Sequence, residues 1–213
     1  MDSNLIQRLV IFFGPFLFAL CFHEFAHGLV AKWRGDNTAE RLGRLTMNPL
    51  AHADMMGTFV FPLLSIFSGF PVSFGWAKPV PVDARNLKNV RTDMFWIALA
   101  GPLSNIFLAL VSTGLLFIFA RMSFFANYSE GIFTLFVVFI QLNIMLALFN
   151  IIPLHPLDGG KVLARFLPAS INYKLERNEH ISGILIMVLV FFGMKFLLAP
   201  VAAVTRYLIS LAI

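Results

Sequence analysis

The sequence predicts an all-α polytopic membrane protein: a three-helix core, a loop with a re-entrant and a β-like piece, and further helices at the C-terminal end. Three observations carry this reading. Of 213 residues, 59% are hydrophobic and only 13% charged, about half the charged share of an ordinary soluble domain. Mean hydropathy is +0.82. The apolar residues fall in runs long enough to cross a hydrocarbon core of about 30 Å. Lys and Arg gather in the connections between those runs, where the positive-inside rule expects them. The net charge of +5 is therefore a mark of topology and argues against nucleic acid as a partner. Cys21 is the single cysteine, so no internal disulfide forms, and it reads as a small buried apolar residue.

Residues 5–31 form the first apolar run, long enough to span with tilt. It continues past any cleavage-site pattern, so no removable signal peptide is expected. Pro15 is expected to bend it. Lys32, Trp33 and Arg34 mark its exit at an interface. Residues 35–54 are polar and turn-rich. Residues 57–70, about 14 in number, are apolar but too short for a confident crossing, and read as re-entrant or interfacial. In residues 71–82, Val72-Ser73-Phe74 and Val80-Pro81-Val82 suggest short edge strands. Residues 93–120 and 131–152 are the second and third spans. Residues 161–180 are polar and basic, 181–198 a fourth span, and 201–213 a short apolar tail after Pro200.

The chemistry lies in His23-Glu24-Phe25-Ala26-His27, inside the first run. Histidines four apart share one helix face. They can hold one metal ion while the glutamate between them acts as general base. Ionisable groups within a membrane span are costly, so function is the expected reason for them. At about 1.5 Å per residue the cluster lies roughly 9–15 Å below the Trp33 interface. Hydrolytic zinc takes three protein ligands and keeps one position open. Asp158 is the best third ligand: it follows Pro153 and Pro156 at the end of the third span, and Gly159 and Gly160 allow close approach. Its alternative use is as a helix N-cap. One full crossing between His27 and Asp158 makes the first and third spans parallel, so the groups can meet at one depth. The basic connections put that depth near the cytoplasmic face of the cell membrane.

These motifs, with Gly101-Pro102-x-x-Asn105 and Asn150-x-x-Pro153-x-x-Pro156-x-Asp158-Gly159, resemble the site-2 protease family of intramembrane zinc metalloproteases, peptidase family M50. The stretch from Gly43 to Asp54 resembles a compact prokaryotic branch, and no PDZ-like insertion is present. The resemblance covers residues 5–160 as core, leaving 161–213 as accessory helices of one membrane-embedded domain. It implies Zn2+ held by His23, His27 and Asp158, with Glu24 as base and Asn150 steadying substrate or the oxyanion. It also implies, as substrate, a single-pass membrane protein or peptide cut within the lipid bilayer, in regulated intramembrane proteolysis. A strand near Val80 could hold the unwound substrate by strand addition.

Other residues receive plainer readings. His52 and Asp54 serve the loop or orient a zinc histidine from outside. His155 faces solvent or packs, and Gly101 and Asn105 allow close helix approach and an interhelical hydrogen bond. A rival function is a membrane metal transporter, but the paired inverted repeats common in transporters are absent. A zinc hydrolase acting on lipid is a third, separable by assay on peptide against lipid.

Overall fold

The computed structural model describes residues 6–7, 9–68, 75–122 and 129–213. Its architecture is all-α, with four helices long and apolar enough to cross a membrane. The first, α1 (Gly14–Trp33), continues a π-helical turn at Leu9–Phe13. Pro15 stands at the start of α1. The proline has no N–H and its ring crowds the preceding turn, so the wider π turn beneath it takes up the mismatch.

The polar segment that follows holds two short helices, α2 (Thr38–Arg41) and α3 (Pro49–His52). The expected re-entrant piece is a π turn, Met55–Val60, running into α4 (Phe61–Ser68). Asp54 caps that turn by accepting from the N–H groups of Met56 and Gly57. His52 turns its Nε2 to the Thr46 carbonyl at 2.9 Å. Both residues therefore serve the loop.

The expected strand at Val80-Pro81-Val82 is absent, and Val72-Ser73-Phe74 lies outside the described residues. In its place one antiparallel bridge joins Ala53 to Ala77. Pro79 and Pro81 supply no N–H on either side of Val80, and the Val80 N–H is spent on a side chain described below.

Helix α5 (Val90–Ala120) is started by Asn89, whose side chain accepts from the Thr92 N–H while Asp93 accepts from the Asn89 N–H. Helix α6 (Ser129–Asn150) packs against it. Then come α7 (Asp158–Ala164), α8 (Ala169–Arg177), α9 (Glu179–Phe192) and α10 (Met194–Ala212). The C-terminal expectation needs correction. The chain breaks at Gly193, not at Pro200, and the long apolar helix is α10 rather than residues 181–198. Within a bilayer helix a proline is tolerated because neighbours re-satisfy the freed carbonyl, so Pro200 rides inside α10.

Apolar clusters join these helices, one of them Ala31 of α1 with Leu87 and with Ile97 of α5. Phe16, Ala19 and Leu20 of α1 meet Leu142 and Leu146 of α6, with Ala77 from the loop. At the other end Ala109 and Leu116 of α5, Ile140 and Ile144 of α6, and Val201, Leu208 and Ala212 of α10 pack together. Helices α1 and α6 run parallel, with α5 antiparallel between them.

Candidate metal centre

Two helices bring the polar groups together. His23 and His27 lie on one face of α1, and Asp158 is the first residue of α7. The carboxylate of Asp158 turns toward the histidines. Its Oδ2 lies 3.1 Å from His23 Nε2 and 3.2 Å from His27 Nε2, and the two Nε2 atoms are 3.1 Å apart. All three side chains are buried.

The remaining ring nitrogens decide what these three atoms are. His27 Nδ1 lies 2.6 Å from the Ile97 carbonyl, a pure acceptor, so it carries the proton. For His23 the same answer comes through a chain. The Phe139 carbonyl takes the Asn143 amide N–H at 2.9 Å, which leaves Asn143 Oδ1 to accept from Asn105 Nδ2 at 2.9 Å. Asn105 Nδ2 also meets the Ala19 carbonyl, so Asn105 Oδ1 faces His23 Nδ1 at 2.6 Å and accepts its proton. Both Asn105 and Asn143 are fully buried. Two backbone carbonyls thus fix the direction of every link.

With both Nδ1 atoms donating, two Nε2 lone pairs and a carboxylate oxygen point at one another. Atoms at that spacing need a cation among them, either a proton on an imidazole, as in an ion pair with Asp158, or a metal ion held by the neutral rings. Tetrahedral zinc with bonds of about 2.0–2.1 Å separates its ligand atoms by roughly 3.3 Å, close to the observed triangle. Space is left for it as well. A Cβ on Gly101 would come within 2.4 Å of His27 Nε2 and 2.6 Å of His23 Nε2. Gly101 is therefore the floor of the pocket, a stronger constraint than close helix approach. The residues present fit a zinc ion.

The centre opens on a cavity of about 750 Å3 lined by Glu24, Asn150, Ala77 and Val80 together with the histidines and Asp158. Glu24 Oε2 accepts the Val80 N–H at 2.8 Å. That loop is clamped in turn by Arg44 Nη2, which donates to the carbonyls of Lys78 and Pro79 at 2.8 and 3.2 Å. Asn150 lines the cavity but donates to the Leu146 carbonyl of its own helix at 3.1 Å. Gly159 makes the turn into α7 possible, since a Cβ there would meet the Ile151 carbonyl oxygen at 2.1 Å. His155 lies behind α7 rather than in this cavity.

Outside the bilayer, Asp36 ties the exit of α1 to the start of α5. It accepts from the N–H groups of Thr38 and Asp83, from the Thr38 hydroxyl and from Asn86 Nδ2. Burial alone would raise its pKa, but these hydrogen bonds outweigh burial and hold the carboxyl below its ordinary value.

The sequence reading missed Asn143, the Ile97 carbonyl, the Val80 N–H and Arg44. Asn143 carried a signal, being a lone amide in an apolar span. The two backbone groups carried none.

Fold and site together define a multi-pass membrane protein whose buried histidines and carboxylates could hold a metal ion. The profile of Peptidase family M50 matches residues 120–194, which include Asn150 and Asp158. The chain is 38% identical over 188 residues to YwhC of Bacillus subtilis (strain 168), covering 87% of this chain and 81% of that one. It is 29% identical over 213 residues to Rip2 of Mycolicibacterium smegmatis, covering 94% and 77%. Both relatives are provisionally named zinc metalloproteases. No solved structure matches the chain at significance. The chain belongs to peptidase family M50 and is a zinc metalloprotease.

Proposed function

We propose that His23, His27 and Asp158 hold the zinc, that Glu24 is the general base, and that the substrate is a transmembrane segment of a single-pass membrane protein. The observation that carries this is the convergence of two Nε2 lone pairs and one carboxylate oxygen, with both Nδ1 protons committed elsewhere. Zinc bound there supplies Lewis acidity, which polarises a carbonyl and acidifies water. Glu24 takes a proton from water at the site and passes it to the leaving nitrogen. The Val80 N–H steadies that carboxylate at the cavity wall. Asn150 has an amide proton to spare for the developing oxyanion, a contribution of about 3 kcal/mol in other hydrolases.

A transmembrane helix hides its carbonyls in its own hydrogen bonds, so the substrate must unwind to be cut. Ala77 offers a place for the unwound stretch. The neighbouring Lys78 N–H pairs with the His52 carbonyl, which turns the N–H and C=O of Ala77 to the other side. Substrate adds there as an extended strand. The excess of Lys and Arg in the connections on that face supports a centre toward the cytoplasmic side of the cell membrane.

Glu24→Gln tests the assignment. The variant should retain one zinc per chain by elemental analysis, while cleavage of a single-pass peptide in bicelles falls by about 10^2–10^4. Retained cleavage would refute the role of Glu24, and hydrolysis of lipid in place of peptide would overturn the substrate class.

A further inference from the structure

A second cavity of about 290 Å3 lies behind α7, enclosed by the start of α5, by α7 and by α8. Its walls carry Arg91, Lys161 and Arg165 against one carboxylate, Glu176. The cations are only partly engaged. Arg91 Nη2 donates to the Leu167 carbonyl at 2.6 Å. Lys161 Nζ stands 3.9 Å from Asp158 Oδ1. Arg165 has no hydrogen bond or ion pair from its side chain among the described residues. Glu176 Oε1 accepts from Asn172 Nδ2 at 2.9 Å, which uses part of the one carboxylate lining this cavity among the described residues.

The same wall holds two buried polar atoms without partners, His155 Nε2 and Asn172 Oδ1. His155 is only 8% exposed. A buried polar atom left unpaired is costly, so a pair of them in one basic cavity signals a missing polar occupant. Around it, Phe166, Ile171 and Tyr173 are exposed, and Phe166 packs edge-on against Phe95 of α5 at 5.9 Å. Apolar and aromatic side chains beside a basic pocket, at the end of a membrane span, belong at the headgroup level of a bilayer.

We propose that this cavity binds the phosphate of an anionic phospholipid with a hydroxylated headgroup, phosphatidylglycerol in chemistry. Arg91 and Arg165 offer planar forks suited to phosphate oxygens, and Lys161 adds a point charge. Asn172 Oδ1 accepts the headgroup hydroxyl. Basic pockets at the cytoplasmic ends of helices bind such headgroups. The acyl chains leave over Phe166 and Ile171. The site is independent of the zinc assignment, though Lys161 borders both cavities.

Native mass spectrometry of the full chain, released from phosphatidylcholine bicelles doped with phosphatidylglycerol, tests this. The unaltered protein should retain one phosphatidylglycerol in preference to phosphatidylcholine. Arg165→Gln should hold it roughly fivefold more weakly, and Arg91→Gln with Arg165→Gln more weakly still. Glu176→Gln should bind more tightly, a gain no folding defect produces. Equal retention in all four proteins would overturn the proposal, as would equal retention of the two lipids. Displacement of the lipid by inorganic phosphate at matched concentration, or by an acidic peptide, would reassign the cavity to a free anion or a peptide and overturn the lipid.

Discussion

Both ends of the helix bundle carry an apolar cluster, and the end near the basic connections adds a chain of hydrogen bonds between buried side chains of different helices. Near the basic connections, α1, α5 and α6 are joined by hydrogen bonds of buried side chains: His23 to Asn105, Asn105 to Asn143, and His27 to the Ile97 carbonyl. At the far end α5, α6 and α10 meet through Ala109, Leu116, Ile140, Ile144, Val201 and Leu208. The Thr113 hydroxyl there turns back to its own helix at the Ala109 carbonyl. In lipid, apolar contact with a neighbouring helix differs little from contact with acyl chains, so such a cluster holds through shape and close packing. Hydrogen bonds have direction, and they fix atoms to within tenths of an ångström. The proposed metal centre sits at the end where direction is enforced.

One substitution of the same kind at each end breaks this comparison most sharply. Gly101→Ala puts a methyl where the ion belongs and should remove both bound zinc and proteolysis. Gly114→Ala, farther along the same helix with nothing within 4 Å of its added Cβ, should leave zinc content and activity unchanged. Equal effects would mean that the floor of the pocket is not reserved for metal.

Asn105→Ala comes next. It removes the acceptor for the His23 Nδ1 proton and should weaken zinc affinity about 10–100-fold in a competition titration with a chelator. Leu116→Ala at the apolar end should do the reverse, lowering resistance to unfolding in detergent by about 2–5 kcal/mol as in other cores while zinc affinity stays unchanged. A loss of zinc affinity in Leu116→Ala would show the two ends to be coupled.

The smallest effect is a pH dependence outside the bilayer. The Asp36 carboxyl is held below its ordinary value, so its stabilising effect is complete above about pH 4 and is lost as pH falls through the depressed value. Protection of the Asp83 amide, whose N–H it accepts, should fall at the acid end when exchange is taken relative to the intrinsic rate at each pH. Asp36→Asn should flatten that response.

Much of this was legible in residue types. Ionisable groups in apolar runs located His23, Glu24 and His27, because a bilayer makes such placements expensive. The parity of crossings put Asp158 at their depth, and the structure brings its carboxylate to the imidazoles. What stayed hidden has a physical reason in each case. The hold on Glu24 comes from a backbone N–H, and every residue but proline has one. The break at Gly193 lost out to Pro200 in the sequence because proline disrupts a helix in water far more than it does in a packed membrane bundle. The strand expected at Val80 failed because the prolines beside it remove the ladder donors.

The imidazole pair and its carboxylate are separated by 135 positions between His23 and Asp158. A ribosome adds about 5–20 residues per second, so on the order of ten seconds pass between the synthesis of the first and that of the last. Throughout that interval the growing polypeptide carries its histidines into the membrane with nothing to complete them. With Asp158 as the proposed third ligand, the metal centre stays incomplete until that residue has been made and inserted.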